Sequence, residues 1–197
     1  MQMIKKSYYK ILQLIYHSPG IRLNELIRKS NVSVATAKTI LDELLESNII
    51  KEEIIRGEKK AILRNFYPSL NSEEAEMVFS MIEIEKKDAF LRKHKNLIGP
   101  LKGLVEQIKD AETILIFGSF ASFSETDDSD LDILLIMKKN FDKGKVKKIM
   151  ERSFITYNGE VSPRLTNIKK LKENKSFLES IKINHIIIKG YLNFLKI

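Results

Sequence analysis

Two short apolar runs, separated by a polar segment, constrain the fold of the C-terminal half most strongly. They read "TILIF" at 113–117 and "LDILLIM" at 131–137. Runs of this length, bounded by turn residues, are typical of strands buried on both faces of a sheet. Gly118 and Ser119 follow the first run, and Asp130 and Asp132 stand at the head of the second. The pattern predicts a strand-turn-strand unit that carries polar side chains next to the core.

The two aspartates predict a metal site. Side chains alternate along a strand, so Asp130 and Asp132 share one face while Leu131 and Ile133 take the other. Two neighbouring carboxylates repel each other, and each raises the pKa of the other. A divalent cation offsets that repulsion, and magnesium typically takes one or two carboxylates together with substrate phosphates. Asp132 lies inside an apolar run, where an unpaired carboxylate is costly, and this favours a bound cation over a solvated acidic loop.

Gly118 and Ser119 predict a place for phosphates. They stand where the first strand ends and a short helix is expected to begin. Backbone N–H groups at such a turn, with a hydroxyl beside them, bind anions, and glycine lets the backbone approach its ligand closely. A phosphate site beside a metal site is the equipment of phosphoryl or nucleotidyl transfer.

These residues resemble a known signature. "FGSFASFSETDDSDLDILL" is similar to the motif of the nucleotidyltransferase superfamily with the DNA polymerase β fold, and above all to the minimal nucleotidyltransferases. Five residues match the motif: Gly118, Ser119, Ser129, Asp130 and Asp132. The resemblance implies that Asp130 and Asp132 bind Mg²⁺, as one ion or two, and that Gly118, Ser119 and Ser129 bind the NTP. It implies transfer of a nucleoside monophosphate with release of pyrophosphate.

The sequence also departs from the family pattern. Phe120 and Ser122 stand where relatives often carry arginine or lysine, and Phe123 stands at the second glycine. The family's third carboxylate, which activates the attacking hydroxyl, aligns near Ser162, which is not acidic. Glu160 is the nearest carboxylate of the same strand parity, and it is the weak candidate for that role, with an exposed turn residue as the alternative. Without this base, transfer would lose roughly 10²–10⁴-fold in rate.

The first 70 residues predict three helices and a basic hairpin. Ser33 is a typical N-cap, and the third helix is expected to place Val34, Ala37, Leu41 and Leu44 in the core. Two strands then flank "RGEKK", with Gly57 in the turn. This arrangement resembles a winged helix-turn-helix domain, over residues 5–68. The resemblance implies double-stranded DNA binding, with the third helix in the major groove and the hairpin over the backbone.

The residues expected to contact DNA lie on the outer face of the third helix and on the hairpin. They are Ala35, Thr36, Lys38 and Thr39 on the helix, and Arg56, Lys59, Lys60 and Arg64 on the hairpin. Small and hydroxyl side chains allow a close approach to base edges, while the cations would lie near phosphates. Winged helices also serve as protein-interaction or dimerisation modules, and this alternative stays open.

The net charge favours a polyanionic partner. The chain carries +8 overall, of which residues 1–70 hold +5 and residues 111–197 hold +4, while residues 71–110 hold −1. A basic surface is typical of nucleic-acid binding, although a solvated lysine-rich surface is the alternative. The absence of cysteine excludes disulfides and thiolate zinc sites. No apolar run reaches the length of a membrane span, and we expect no membrane association and a cytoplasmic location.

The predicted fold class is α+β in three segments. Residues 1–70 form a winged helix-turn-helix domain, residues 71–110 a helical connector broken at Gly99-Pro100, and residues 111–197 a nucleotidyltransferase-like domain with a mixed sheet and flanking helices. Pro163 is expected on a sheet edge or at a bulge. Histidines 17, 94 and 185 are scattered and are expected to be structural or surface residues rather than ligands.

The sequence leaves several functions open. The leading prediction is a DNA-binding protein that binds NTP with Mg²⁺ and transfers NMP to an acceptor that the sequence does not name. One alternative is a transcription regulator whose second domain senses nucleotide or only dimerises, without catalysis. Another is an antitoxin-like partner of a separate helical protein. The nucleotide base, the DNA sequence and the oligomeric state, including a homodimer, are not determined by the sequence.

Overall fold

The computed structural model describes residues 6–56, 62–138 and 141–197. The chain divides into two compact units, Met1–Ile82 and Glu83–Ile197. Their boundary falls inside one long helix, and each unit is described separately below. The elements confirm the α+β class predicted from the sequence, with a winged-helix region followed by a mixed sheet and its helices.

The first unit begins with three helices and a very short strand. They are α1 (Lys6–His17), β1 (Ile21–Arg22), α2 (Leu23–Ser30) and α3 (Val34–Glu46). Apolar residues at helical spacing bury one face of each helix, as Ile11 and Ile15 do in α1 and Leu26 does in α2. Ser33 caps α3 as predicted, because its side chain accepts a hydrogen bond from the Thr36 N–H at 3.1 Å.

A small antiparallel sheet completes the winged-helix region. Strands β2 (Ile50–Arg56) and β3 (Ile62–Pro68) form the predicted hairpin, and β1 adds to the free edge of β3, which gives the order β1-β3-β2. The turn of the hairpin lies outside the described residues, and with it the predicted contacts Lys59 and Lys60. Phe66 of β3 is fully buried and anchors the sheet to the helices.

One predicted core position of α3 is wrong. Val34 is 52% exposed, whereas Ala37, Leu41 and Leu44 are buried as expected and Ile40 joins them. Val34 is the first residue of the helix, directly after its cap, so the neighbouring turn does not yet cover its side chain. The position of the buried stripe is unaffected, and the residues predicted to face outward keep that orientation.

The second unit opens with helices. Helix α4 runs from Glu73 to Lys93 across the boundary between the units, a 3₁₀ turn follows at Lys95–Leu97, and α5 spans Ile98–Gln107. The predicted break at Gly99-Pro100 is wrong, because both residues lie in the first turn of α5. Proline is tolerated there, since the first N–H groups of a helix have no intrahelical acceptor. The break comes earlier, at His94, whose backbone leaves the helical region.

A four-stranded mixed sheet forms the centre of the second unit. Its strands are β4 (Ala111–Ile116), β5 (Leu131–Met137), β6 (Val161–Thr166) and β7 (Ile186–Lys189), in the order β6-β5-β4-β7. The two central strands are the apolar runs identified in the sequence. They pair antiparallel with each other, and β6 runs parallel to β5 on the outer edge. Pro163 therefore lies on an edge strand, as predicted, where its missing N–H breaks no ladder.

Helices cover the two faces of this sheet. The remaining helices are α6 (Gly118–Ala121), α7 (Lys143–Ser153), α8 (Ile168–Glu173), α9 (Lys175–Ile183) and α10 (Tyr191–Leu195). Odd-numbered residues of β5 such as Ile133 pack with α5 and α7, and even-numbered residues such as Leu134 pack with α8, α9 and α10. None of the helices in the described ranges has the length and apolar character that crossing a bilayer requires.

Candidate functional site

Gly118 begins α6 directly after β4 and lies against Asp132. Its φ is +70°, a backbone conformation that residues with a side chain rarely adopt. A Cβ at this position would lie closer than 3.0 Å to Oδ2 of Asp132. Both the backbone angle and the space therefore require glycine here. The structure brings the glycine-serine turn and the aspartate together, as the strand-turn-strand unit predicted.

Asp132 is the half-buried carboxylate of the site. It is the second residue of β5, and the exposed Asp130 precedes that strand by one position. Burial raises the pKa of Asp132 above its ordinary value of 3.8, and the nearby charge of Asp130 raises it further. A hydrogen bond from Ser162 and the charge of Arg164 act in the opposite direction, and burial outweighs them. The two aspartates thus interact electrostatically, as expected from their shared face.

The other predicted phosphate contacts have different surroundings. Ser119 is half-buried in α6, which has only four residues and therefore a small dipole. The hydroxyl oxygen of Ser129 accepts a hydrogen bond from the Thr126 N–H at 2.9 Å and lies 3.1 Å from the Thr126 hydroxyl. Ser129 therefore shapes the loop before Asp130, and its part in nucleotide binding stays a prediction.

The neighbouring strand places a serine opposite Asp132. In the parallel pairing of β5 with β6, Asp132 is level with Ser162, and the hydroxyl of Ser162 lowers the pKa of the Asp132 carboxyl. This is the position at which the sequence comparison expected a third carboxylate. Glu160 is exposed and precedes β6, where its backbone carbonyl accepts a hydrogen bond from the Leu131 N–H at 2.9 Å. Its predicted role as a general base stays a prediction.

Arg164 is a residue that the sequence analysis missed. It lies two residues after Ser162 on β6, so the two side chains share the face of Asp132. Its guanidinium carbon lies 4.5 Å from the ring centroid of Phe177 and 5.7 Å from that of Phe117. Strand parity could have indicated this residue, because positions 160, 162 and 164 point to the same side once β6 is recognised as one strand.

The two phenylalanines of the "FASF" segment differ in burial and in backbone conformation. Phe120 is buried in the core between the sheet and α5. Phe123 is 41% exposed and has a φ of +56°, at the position where the family motif has its second glycine. A side chain in this conformation costs roughly 1–2 kcal/mol. A glycine would adopt this backbone without that cost, and the Phe123 ring lies 6.2 Å from that of Phe90.

Glu125 fastens the loop between α6 and β5 to the end of α4. Its carboxylate forms an ion pair with Lys93, and its Oε1 lies 3.4 Å from Nε2 of His94. Burial works to raise the pKa of Glu125, but the hydrogen bond and charge of Lys93 outweigh it, so the pKa is lowered. Burial lowers the pKa of His94. Glu125 therefore helps to hold the loop that leads to Asp130.

The donor set fits a magnesium ion that a nucleotide helps to bind. The described residues contain no cluster of three or more histidine, aspartate or glutamate side chains suited to a metal. Asp130 and Asp132 supply two carboxylates, and magnesium commonly binds through one or two carboxylates, with phosphate and water oxygens completing its shell. Asp132 and Asp130 would hold the ion, and the phosphates of a nucleotide would supply further ligands.

The candidate DNA-contacting face of α3 is exposed. Ala35, Thr36, Lys38 and Thr39 all lie on the surface of the unit. The Thr36 hydroxyl lies 2.8 Å from that of Ser33, and the Thr39 hydroxyl donates to the carbonyl of Ala35 at 3.2 Å. The hydroxyls therefore already have partners within the helix, which leaves Lys38 as the charged group of this face.

The two predicted hairpin contacts within the described residues, Arg56 and Arg64, differ. Arg56 at the end of β2 is exposed. Arg64 is partly buried, and its Nε donates to Oε2 of Glu52 at 2.6 Å while its guanidinium lies 5.3 Å from the ring centroid of Phe66. Because Arg64 is already paired, Arg56 is the better-placed phosphate contact of these two.

Comparisons with known proteins agree with this architecture. Residues 4–61 match the model of the MarR family, and residues 101–189 match the model of the nucleotidyltransferase domain. The two models match the winged-helix region and the nucleotidyltransferase region respectively, so the fusion predicted from the sequence is confirmed.

Two further comparisons add little. No curated protein matches the chain. A solved structure titled "Crystal structure of the toxin-antitoxin with AMP-PNP" is similar at 17% sequence identity, over 48% of this chain and 77% of that one, with a TM-score of 0.37. A TM-score of this size carries no argument about function. The antitoxin-like role and the homodimer stay predictions.

Proposed function

We propose that this chain, which joins a MarR-family winged helix to a nucleotidyltransferase domain, binds double-stranded DNA with the first and a magnesium-bound nucleoside triphosphate with the second. The single observation that carries the nucleotide part is the close packing of Gly118 against the half-buried carboxylate of Asp132. DNA and nucleoside triphosphates both occur in the cytoplasm, and we propose that the protein acts there as a nucleotide-responsive regulator of transcription.

The cost of keeping Asp132 ionised supports a cation at this site. Its carboxylate is partly removed from water and lies near a second carboxylate, and both effects disfavour its charge. A magnesium ion would offset both and would in turn attract the phosphates of a nucleotide. Bound there, magnesium would neutralise phosphate charge, while Gly118 and Ser119 would offer backbone N–H groups to phosphate oxygens.

The residue opposite Asp132 favours binding over rapid transfer. Nucleotidyl transfer needs a group that activates the attacking hydroxyl, and Ser162 stands where that carboxylate was expected. A neutral serine hydroxyl is a poor base at neutral pH, so we expect transfer to be slow by roughly 10²–10⁴-fold. A regulator that senses nucleotide fits this site better than a fast transferase.

Calorimetry on the full chain tests the nucleotide part. Each of the four NTPs, as a non-hydrolysable analogue, would be titrated with and without Mg²⁺. We expect saturable binding of at least one analogue that requires magnesium and that Asp132→Asn abolishes. Asp128→Asn is the matched control, because Asp128 is an exposed carboxylate of the loop that leads to Asp130. Absence of binding at millimolar analogue would refute the proposal.

Labelled NTP tests for residual transfer. The protein would be incubated with magnesium and each α-labelled NTP, alone and with nucleic acid or lysate. We expect at most slow labelling that requires Asp130 and Asp132. Rapid labelling lost in both alanine variants would instead support a transferase, and labelling that survives both would contradict the site.

Titration of genomic DNA fragments tests the winged helix. We expect saturable binding that weakens steeply between low and moderate salt, because counterions are released when cations contact phosphates. Lys38→Ala should weaken binding, whereas Lys10→Ala, which removes an exposed lysine of α1, serves as the charge-matched control. Equal affinity of both variants for every fragment would contradict the assignment of α3 as the recognition helix.

A further inference from the structure

Strand β6 carries a serine at the position where a nucleotidyltransferase site is expected to be acidic, and a cation two residues later. Ser162 is level with Asp132, and Arg164 follows on the same face one step along the strand. The charge of Arg164 reaches the Asp132 carboxyl, whose pKa it lowers. The edge strand therefore brings a neutral hydroxyl and a positive charge to the carboxylate pair.

Two aromatic rings fix the position of that positive charge. The rings of Phe117 and Phe177 pack edge to face with their centroids 5.5 Å apart, and the guanidinium of Arg164 lies over both. Phe117 directly precedes Gly118, and its N–H donates to the carbonyl of Asp132 at 3.1 Å. The arginine is thus held beside the glycine-serine turn and the carboxylate at the same time.

The N–H groups of Arg164 are available for a ligand. Its interactions with the rest of the described chain are its two ring contacts and its longer-range attraction to Asp132, with no ion pair to a carboxylate. A guanidinium held by ring contacts has no carboxylate on its N–H donors, and its planar fork suits two oxygens of one phosphate.

A second divalent cation has little to hold it at this site. With a serine at the third position, the ion would lack a carboxylate ligand from β6. It would also lie near a fixed positive charge, which repels it. Arg164 can instead supply to the phosphates the positive charge that a second ion would bring.

We propose that Arg164 replaces a second metal ion in this site, so that a nucleoside triphosphate binds with one divalent cation and with the Arg164 guanidinium on its phosphates. The inference rests on the proposed nucleotide site and adds the stoichiometry of its metal. It also assigns to Arg164 the phosphate contact that relatives often make with an arginine or lysine at the positions of Phe120 and Ser122.

Manganese counting tests the stoichiometry. Mn²⁺ would be titrated into the full chain in the presence of the non-hydrolysable analogue that binds best, and the bound ion would be counted by its electron spin resonance signal. We expect one Mn²⁺ per chain beyond the ions carried by free analogue. Two ions per chain would overturn the inference and leave the proposed function standing. Failure of every analogue to bind would overturn both.

Substitutions of Arg164 test its contact with phosphate. Arg164→Gln should weaken analogue affinity about tenfold or more, because a charged hydrogen bond to phosphate is lost. Arg164→Lys should recover part of that loss, since it keeps the charge and loses the planar fork. Arg152→Gln is the control, an exposed arginine of α7, which packs on the opposite face of the sheet. Unchanged affinity in Arg164→Gln, with the far-ultraviolet circular dichroism of the native chain, would overturn the inference.

A double variant tests the replacement directly. Ser162→Asp combined with Arg164→Gln restores a carboxylate opposite Asp132 and removes the cation, and we expect the Mn²⁺ count to rise from one to two. In Ser162→Asp alone the Mn²⁺ count should remain at one, because the Arg164 guanidinium still lies where the second ion would bind. A count of two in Ser162→Asp alone would show that Arg164 does not exclude the second ion, and would overturn the inference.

Discussion

The two units differ in how deeply they bury their ionisable side chains. In the described part of the first unit the ion pairs reach solvent, since Lys29 with Glu25 is well exposed and Arg64 with Glu52 is partly exposed. The second unit has exposed charges too, but it also holds an ionisable pair in its interior. Glu83 of α4 is 0% exposed, His185 is 4% exposed, and Nε2 of His185 lies 3.0 Å from Oε1 of Glu83.

This difference predicts how each unit responds to mutation. Exposed charges are screened by water and salt, so each contributes little, and their effects on DNA affinity add up. Buried charges depend on particular partners, so the loss of one partner is costly. We expect the second unit to show large effects at single positions and the first unit small, additive ones.

Loss of the buried histidine should have the largest effect. His185→Ala leaves the Glu83 carboxylate buried without its imidazole partner, and we expect a loss of about 3–5 kcal/mol in the free energy of unfolding. Lys86 lies near the same carboxylate, and burial lowers the pKa of its ammonium group. Urea denaturation followed by circular dichroism measures the loss. The control His17→Ala removes an exposed histidine and should change stability by less than about 0.5 kcal/mol. Similar losses of stability in His185→Ala and His17→Ala would contradict the expected difference between buried and exposed side chains.

Gly118→Ala should come next. The added Cβ would clash with Asp132. The alanine would also have to adopt the positive φ of this position, which costs about 1–3 kcal/mol of folding stability. Displacement of the Asp132 carboxylate should also lower the affinity for magnesium and nucleotide. Gly99→Ala is the control, because nothing lies within 4 Å of its Cβ position in α5, and it should stabilise by about 0.4–1 kcal/mol. Thermal melting and calorimetry measure the two effects, and native nucleotide affinity in Gly118→Ala would contradict the site geometry.

Asp132→Asn should raise the stability of the chain although it abolishes nucleotide binding. The pKa of Asp132 is raised in the folded protein, so its ionisation costs stability, and that cost grows as the pH rises above the ordinary 3.8. The asparagine variant should therefore melt at a higher temperature than the native chain at pH 7, and this difference should shrink as the pH falls towards 4. Melting curves between pH 4 and 8 measure it. A variant less stable than the native chain at pH 7 would contradict the raised pKa.

The smallest effects should come from the exposed cations of the first unit. Lys38→Ala and Arg56→Ala should each weaken DNA binding a few-fold and reduce the salt slope by about 1, since each removes one phosphate contact. The double variant should show the sum of the two changes in slope. Arg64→Ala should leave the slope nearly unchanged, because Arg64 is already paired with Glu52. If Arg64→Ala reduced the salt slope by about 1, the ion pair of Arg64 with Glu52 would have to break when the protein binds DNA.

Local patterns were enough to predict several elements of both units. The apolar runs gave β4 and β5, Ser33 gave the start of α3, and Gly118 gave the turn, because each depends on residues close in sequence. The wrong predictions, Val34 in the core and a helix break at Gly99-Pro100, both fall on the first turn of a helix. There the periodic pattern and the usual effect of proline do not yet apply.

The partners of the site could not be predicted in the same way. Arg164 reaches Asp132 only because β6 pairs with β5 in a particular register, and Phe177 comes from α9. Glu83 and His185 are 102 residues apart, and neither belongs to a motif. No local pattern specifies contacts of this separation.

The sequence by itself determined the three helices and hairpin of the first unit, the two central strands of the second, the glycine-serine turn and the pair of carboxylates, because these follow from periodicity, turn chemistry and side-chain alternation. The tertiary structure decided what surrounds the carboxylates. It set a serine opposite Asp132 and an arginine beside it, and it buried Glu83 against His185. The physical reason is that strand register and helix packing are fixed by the whole core, and the electrostatic character of a site depends on which distant side chains that packing brings together.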